Sequence, residues 1–211
     1  MEIRLPDIRV DHPPHRYHYK KNRSHFLPIL SKATLFIIVF LLCFHLPDFV
    51  SGQYGRKQTI QEILSVLERH QTGLAAITKE ELAEVIYEEA VRHNHDPKLI
   101  MALIYTESEF FNWAVSEKGA KGLMQIMPYV AESIAKELGI EWAGDRTLFN
   151  PYLNIRMGIY YLSRLILDFR DLKVALTAYN YGPTYVKGLI ERRERIPGNY
   201  YRRVVDTYRN I

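Results

Sequence analysis

Positions 96–128 read DPKLIMALIYTESEFFNWAVSEKGAKGLMQIMP, and they carry the strongest indication of the fold class of the chain. Asp96 is a good helix N-cap and Pro97 is favoured at the first helical position, so a helix is expected through about Phe110. One apolar face of that helix includes a glutamate at position 107. The members of this face are Ile100, Leu103, Ile104, Glu107 and Phe111.

Glu107 is therefore a candidate general acid. Burial disfavours the charged carboxylate and raises the pKa of the carboxyl group, which suits an acid that works near neutral pH. A buried structural glutamate paired with Lys or Arg would give the same pattern, as would a helix end that turns the side chain to solvent. Glu109 lies on the opposite side of the helix and is expected in solvent.

The second half of the stretch, residues 116–128, predicts a shaped loop. Gly119 and Gly122 permit positive φ or a close approach of the backbone. Gln125 offers an amide that suits the hydroxyl or acetamido groups of a sugar. The apolar residues around it are typical of a pocket wall: Leu123, Met124, Ile126 and Met127.

Helix signals recur along the rest of the chain. Thr78 and Glu81 form a capping-box pattern, and Gly139 is a typical left-handed C-cap. No alternating strand pattern of useful length competes, and no internal repeat is visible, so we predict an all-α or nearly all-α domain. Further helices are expected from Met127-Pro128 to Gly139, from Asn150-Pro151 to about Phe169, from Asp171 to about Tyr181, and over roughly Tyr200 to Tyr208.

Charge and cysteine content exclude several classes of protein. The single cysteine, Cys43, excludes an internal disulfide framework and a thiolate-rich zinc site. Residues 1–51 contain seven Lys/Arg and four Asp/Glu, so they account for +3 of the net charge of +4. The remaining chain is nearly neutral, which does not indicate nucleic-acid binding.

The basic N-terminal region precedes an apolar run. Residues 33–44 carry no charge, and the run extends to 28–46 if Lys32 is tolerated near its end. We predict a polar basic tail over 1–25 and a transmembrane anchor or signal segment over 26–50, with the N-terminus in the cytoplasm. A cleavable signal and a buried core helix are the alternatives. A linker with a short amphipathic helix is expected over 51–78, followed by a globular domain over 79–211.

The ordered motifs of residues 80–210 resemble the soluble lytic transglycosylase (SLT) catalytic domain, which shares the goose-type lysozyme fold. The resemblance rests on Glu107-Ser108, Ser116, Gly119-Ala120, the GLMQ run at 122–125 with Pro128, NIRMGIYYL at 154–162, AYNYGP at 178–183, and Pro197 followed by Tyr201. The Glu-Thr that usually precedes this tyrosine in the family is replaced by Gly198-Asn199-Tyr200.

The resemblance implies roles for individual residues. Glu107 matches the single catalytic acid of the family. Positions that line the glycan groove are matched by Ser116, Gly122, Gln125, Met127, Ala178 and Tyr179. Supporting roles fall to Ser108, which caps the catalytic helix or touches substrate, Asn180, expected to bond the backbone at a helix end, and Tyr201.

The resemblance also implies a substrate and a mechanism. The substrate would be peptidoglycan, cut between N-acetylmuramic acid and N-acetylglucosamine with Glu107 as acid and then as base, to leave a 1,6-anhydro end. No second acid lies in a matching motif, although Asp145 could approach the groove, and no metal or cofactor is implied. Plain hydrolysis, as in goose-type lysozymes, and a non-catalytic glycan-binding module are the alternatives. We expect peptidoglycan and, through the N-terminal segment, the inner membrane as partners, with the catalytic domain in the periplasm; signal cleavage would instead leave it secreted there.

Overall fold

The computed structural model describes residues 34–38, 40 and 54–211, and the chain divides into two compact units, Met1–Val50 and Ser51–Ile211. In the first unit, residues 34–38 and 40 are helical, and the rings of Phe36 and Phe40 stack at 6.4 Å. No helix within the described ranges is long and apolar enough to cross a membrane. The tail expected over 1–25 and most of the segment expected over 26–50 lie outside the described residues.

The second unit is built from helices, which confirms the all-α prediction. Between 54 and 211 the only extended pairings are isolated bridges from Lys121 to Val115 and to Ile126. The helices are α1 (54–68), α2 (Lys79–Arg92), α3 (Pro97–Ser108), α4 (Pro128–Leu138), α5 (Asp145–Leu148), α6 (Pro151–Phe169), α7 (Leu172–Tyr181), α8 (Pro183–Glu191) and α9 (Asn199–Asn210).

Local capping explains where these helices begin. Thr78 and Glu81 form the predicted capping box: Oγ1 of Thr78 accepts from Glu81 N at 3.1 Å, and Oε2 of Glu81 accepts from Thr78 N at 2.7 Å. Asp96, Asn150 and Asp171 accept backbone N–H groups in the first turns of α3, α6 and α7. Each of these starts was visible in the sequence because a cap acts within three residues.

Helix α3 lies in the core, packed against α2 and α9. It ends at Ser108, earlier than predicted, because Glu109 and Phe110 adopt left-handed backbone angles (φ 51° and 65°). The reversal buries Phe110 completely and leaves Phe111 42% exposed, so the prediction of Phe111 on the buried face was wrong. Glu109 is exposed as expected.

Helix α1 is part of the folded unit, which differs from the predicted linker. Ile63 is 2% exposed and Leu67 is fully buried in the same core cluster as α3. The segment after α1 is also fixed, since Trp113 Nε1 donates to Gly73 O at 2.6 Å. An amphipathic pattern shows that one face is apolar, but not which surface will cover it.

Candidate active site

Glu107 faces a groove from the last turn of α3. Its cavity has a volume of about 390 Å³ and continues into a neighbouring one of about 180 Å³ that shares five lining residues with it. Helix α3, the loop between α3 and α4, and the end of α7 form the walls. The first cavity is lined by Glu107, Ser116, Glu117, Lys118, Ala120, Gln125, Met127, Tyr179 and Asn180.

The environment of Glu107 favours its protonated form. Burial raises the pKa of the Glu107 carboxyl group from an ordinary value of 4.5 to about 7. Two weaker influences lower that pKa: the Tyr200 hydroxyl, which donates a hydrogen bond to Oε1, and the positive charge of Arg203. A carboxyl group with a pKa near 7 can both give and accept a proton at neutral pH.

Two tyrosines lie close to this carboxyl group. The Tyr179 hydroxyl donates to Met124 O at 2.8 Å, and Tyr200 donates to Glu107. Burial, followed by the charge of Glu107, raises the pKa of each phenol well above its ordinary value. Both hydroxyls therefore remain hydrogen-bond donors at neutral pH.

The loop wall is held in place from beneath by Asn154, which is completely buried on α6. Its Nδ2 donates to Lys121 O at 3.1 Å and to Leu148 O at 2.9 Å, and its Oδ1 accepts from Met124 N at 2.8 Å. Gly122 lies directly against this amide with φ +81°. A Cβ there would collide with Asn154 Nδ2 and lie 2.5 Å from Leu148 O. Only glycine fits this position.

Gln125 combines a structural and a groove-facing role. Its backbone is left-handed (φ 48°), and its Nε2 donates to Ala114 O at 3.0 Å and to Gly122 O at 2.9 Å. Within the described part of the chain, Oε1 accepts no hydrogen bond, so it is available as an acceptor. Ser116 also lines the cavity, while its Oγ accepts from Ala120 N at 3.0 Å.

The structure brings six of the predicted site residues together in the groove: Glu107, Ser116, Gln125, Met127, Tyr179 and Asn180. Gly122 and Ala178 are instead buried, and neither lines a cavity of the groove. Ser108 steadies the helix end, since its hydroxyl lies within hydrogen-bond distance of both Ile104 O (3.1 Å) and Leu123 O (2.7 Å).

Tyr200, and not Tyr201, is the C-terminal tyrosine that contacts Glu107. Tyr200 is 1% exposed, whereas Tyr201 lines a different cavity with Lys173 and Arg195. Sequence reasoning missed Tyr200, although its spacing of four from the buried Val204 marks it as a residue of the inner face of α9.

Asn180 is exposed, and its side chain makes no hydrogen bond to any described residue, which differs from its predicted backbone contact. Asn154 makes side-chain hydrogen bonds to the backbone instead. The sequence showed Asn154 as the first residue of the family motif at 154–162, but not that it supports the loop.

A second carboxylate, Glu117, lies on the wall of the Glu107 cavity. It is exposed, and it was not singled out because its sequence context is that of an ordinary surface acid, with Lys118 beside it. Asp145 is engaged elsewhere: its Oδ1 lies 2.6 Å from Lys121 Nζ. Over the described ranges, no group of three or more His, Cys, Asp or Glu residues is arranged to hold a metal ion.

The chain is similar to known transglycosylases. A family model, the transglycosylase SLT domain, matches residues 84–201, which is more than half of the chain. The chain is 37% identical over 110 residues to the membrane-bound lytic murein transglycosylase F of Desulfosudis oleivorans, a match that covers 49% of this chain and 22% of the relative. It is 34% identical over 99 residues to the transglycosylase of Enterobacteria phage PRD1, covering 47% and 34%. The matched part of the chain thus spans 22% and 34% of the length of these two relatives.

A solved structure shares the fold. The 70-kDa soluble lytic transglycosylase of Escherichia coli superimposes with a TM-score of 0.51 at 23% identity, covering 74% of this chain and 30% of that one.

Proposed function

Because this chain belongs to the transglycosylase SLT domain family, we propose that it is a peptidoglycan lytic transglycosylase. Its substrate would be the β-1,4 bond between N-acetylmuramic acid and N-acetylglucosamine. The relatives named as lytic murein transglycosylases support this substrate. The observation that carries the proposal is the carboxyl group of Glu107 on the wall of an open groove, where burial raises its pKa to about 7.

In the proposed mechanism, Glu107 is used twice. Its protonated form gives a proton to the oxygen of the glycosidic bond as that bond breaks, and the acetamido group of the muramoyl residue stabilises the positive charge that develops on the sugar. The Glu107 carboxylate then removes the proton from the C6 hydroxyl of the same sugar. That oxygen closes the 1,6-anhydro ring, so no water is added.

The surroundings of Glu107 suit both proton transfers, the donation in the first step and the removal in the second. Burial makes the protonated form available for the first step. The hydrogen bond from Tyr200 stabilises the carboxylate that exists between the steps. We propose that Gln125, Met127, Tyr179 and Asn180 position the sugars, since each lines both adjoining cavities of the groove.

Hydrolysis is the second candidate function, and the presence of Glu117 in the same cavity as Glu107 favours it. Enzymes that use water commonly employ a second carboxylate beside the acid. Glu117 shares the cavity with Glu107, but its side chain is exposed on the loop wall. A carboxylate in contact with bulk solvent is poorly placed to activate one ordered water molecule, so the one-carboxylate mechanism is preferred.

Product analysis tests the proposal. The full chain, purified in mild detergent, is incubated with peptidoglycan sacculi, and the released muropeptides are analysed by mass spectrometry. Anhydro products are lighter by one water than products with reducing ends. We expect anhydro products from the unsubstituted protein and from Glu109→Gln, whose carboxylate lies two residues away in solvent. Glu107→Gln should release none.

Each other result has a distinct meaning. Products with reducing ends only would identify a hydrolase. Cleavage by Glu107→Gln at the original rate would remove Glu107 as the acid. Binding to sacculi without release of products would leave the third alternative, a glycan-binding module.

We also propose that residues 26–50 anchor the protein in the inner membrane, with residues 51–211 in the periplasm. The support is the basic region before an uncharged run at 33–44 and the exposure of the large apolar side chains at 35–38. Signal cleavage near Val50–Gly52 is the alternative, and it would release a periplasmic protein. Cell fractionation followed by intact-mass measurement distinguishes them, since an uncleaved chain in the membrane fraction supports the anchor.

A further inference from the structure

A basic cleft of about 580 Å³ lies apart from the catalytic groove. We use this name for the cavity formed by the start of α7, the turn at 195–198 and the first turn of α9. Its charged side chains are Lys173, Arg195 and Arg202, all exposed, and Tyr201 contributes an aromatic wall. None of these residues lines either cavity of the groove.

The positive charges of the basic cleft are not neutralised by the protein. Lys173, Arg195 and Arg202 form no ion pair within the described part of the chain. Nearby carboxylates have other partners: Glu194 pairs with Arg192 at 2.7 Å, Asp206 lies 4.0 Å from Arg209, and Asp171 accepts from Val174 N to cap α7. Three unpaired cations around one concavity produce a positive potential that favours an anionic ligand.

The walls of the cleft are held together by specific contacts. The buried Thr177 hydroxyl lies 2.7 Å from Lys173 O and 3.1 Å from Pro197 O, so it joins α7 to the turn. The Arg202 guanidinium donates to Oδ1 of Asn199, which fixes it beside the start of α9. The contact with Asn199 restricts the Arg202 guanidinium before any ligand arrives, which lowers the entropy that this side chain loses on binding.

The cleft and the groove share two helices. Lys173 precedes Tyr179 by six residues on α7, a distance of about 9 Å along the helix axis at about 1.5 Å per residue. On α9, Tyr201 faces the cleft while its neighbour Tyr200 contacts Glu107. The cleft and the groove are therefore built on the same two helices, α7 and α9.

We propose that the basic cleft binds free carboxylates of the peptide stems that peptidoglycan carries on its muramoyl residues. This inference rests on the proposed function. A stem of about four or five residues spans about 15 Å when extended, which covers the separation along α7. Arginine side chains match the planar carboxylate and can bind it through two N–H groups. The cleft would thus favour strands that still carry their peptides.

The test compares two substrates and two variants of the full chain. The substrates are peptide-bearing glycan strands and the same strands stripped of peptide by an amidase. One triple variant neutralises the cleft (Lys173→Gln, Arg195→Gln, Arg202→Gln). The matched control neutralises three exposed cations on α1, α4 and α5 that line neither the cleft nor the groove (Lys57→Gln, Lys136→Gln, Arg146→Gln).

The measured quantity is the ratio of kcat/KM on peptide-bearing strands to kcat/KM on stripped strands. We expect the cleft variant to lower this ratio about tenfold, because it removes three solvent-exposed charge interactions with the stem carboxylates. The control variant should leave the ratio unchanged. High salt should lower the ratio for the unsubstituted protein as well, because it screens these pairs. That measurement does not depend on the folding of any variant.

Other outcomes overturn the inference. A ratio that neither the cleft variant nor salt changes shows that the cleft does not bind the stems. If, in addition, the unsubstituted protein floats more strongly with phosphatidylglycerol than with phosphatidylcholine vesicles and the cleft variant loses this difference, the cleft serves an anionic membrane surface instead. Failure of the unsubstituted protein to cut either substrate would contradict the proposed function. This result is distinguishable from an unchanged ratio, which requires that the protein cuts both substrates.

Discussion

The hydroxyl of Tyr200 donates a hydrogen bond to Oε1 of Glu107 and so joins α9 to the last turn of α3, across 93 positions of sequence. Glu107 is subject to opposing influences: burial raises the pKa of its carboxyl group, and this hydrogen bond lowers it. Without Tyr200 the buried carboxylate would lose a hydrogen-bond donor that stabilises its charge. The hydrogen bond therefore lowers the pH at which Glu107 exchanges its proton, against the larger effect of burial.

The first prediction concerns Tyr200→Phe. Removing the donor destabilises the carboxylate, so the pKa of Glu107 should rise above its present value of about 7. A charge-assisted hydrogen bond contributes about 1.5–3 kcal/mol, which corresponds to a rise of about 1–2 pH units. Because the first step needs protonated Glu107, the alkaline limb of the kcat/KM profile should move to higher pH by that amount. Tyr201→Phe is the control, and a limb displaced equally in both variants would contradict the assignment.

The second prediction is a pH-dependent stability of Glu107→Gln. The pKa of Glu107 is raised in the folded state, so the unfolded chain loses this proton first as pH rises from about 4.5 to about 7. The free energy of unfolding of the unsubstituted protein should fall over this window, whereas the glutamine has no proton to lose. We expect the stability advantage of Glu107→Gln to grow by about 2 kcal/mol between about pH 5 and pH 8. Urea unfolding at both pH values measures it, and a constant difference would show that Glu107 is not buried as described.

The third prediction compares two glycines with similar backbone angles. Gly122 and Gly119 have φ +81° and +85°, but a Cβ at Gly122 meets Asn154 and Leu148, whereas one at Gly119 meets nothing within 4 Å. Alanine at 119 should lower the free energy of unfolding by only about 1 kcal/mol, from backbone strain. Alanine at 122 adds a collision with the buried Asn154 network and should cost about 3 kcal/mol or more. Equal losses in urea unfolding would mean that the loop can move away from Asn154.

The fourth prediction concerns Glu117→Gln. If Glu107 acts alone, removing the second carboxylate of the cavity should change kcat by less than about threefold and leave the products as anhydro sugars, because no step uses it. The loss for Glu107→Gln should be about a thousandfold or more. Rates and product masses from sacculi give both quantities. A loss of a hundredfold in Glu117→Gln would instead indicate a mechanism with two carboxylates.

Local features of the fold were predictable because their causes are local. The caps at Thr78, Asp96 and Asn150 act on N–H groups two or three residues away, so their residue types are visible in any short window. The end of α3 was not predictable. Glu109 and Phe110 are not residues that favour positive φ, so nothing in the local sequence signals the reversal that buries Phe110.

The helical class, the glutamate on the apolar face of α3 and the surrounding family motifs could all be predicted from the order of residues along the chain. Three features required the folded chain: α1 packs into the core, Gly122 lies against Asn154, and Tyr200 is the tyrosine that contacts Glu107. Periodicity and capping depend on neighbours within a few residues, whereas burial and the pKa of Glu107 depend on side chains brought together from α3 and α9 by packing of the whole unit.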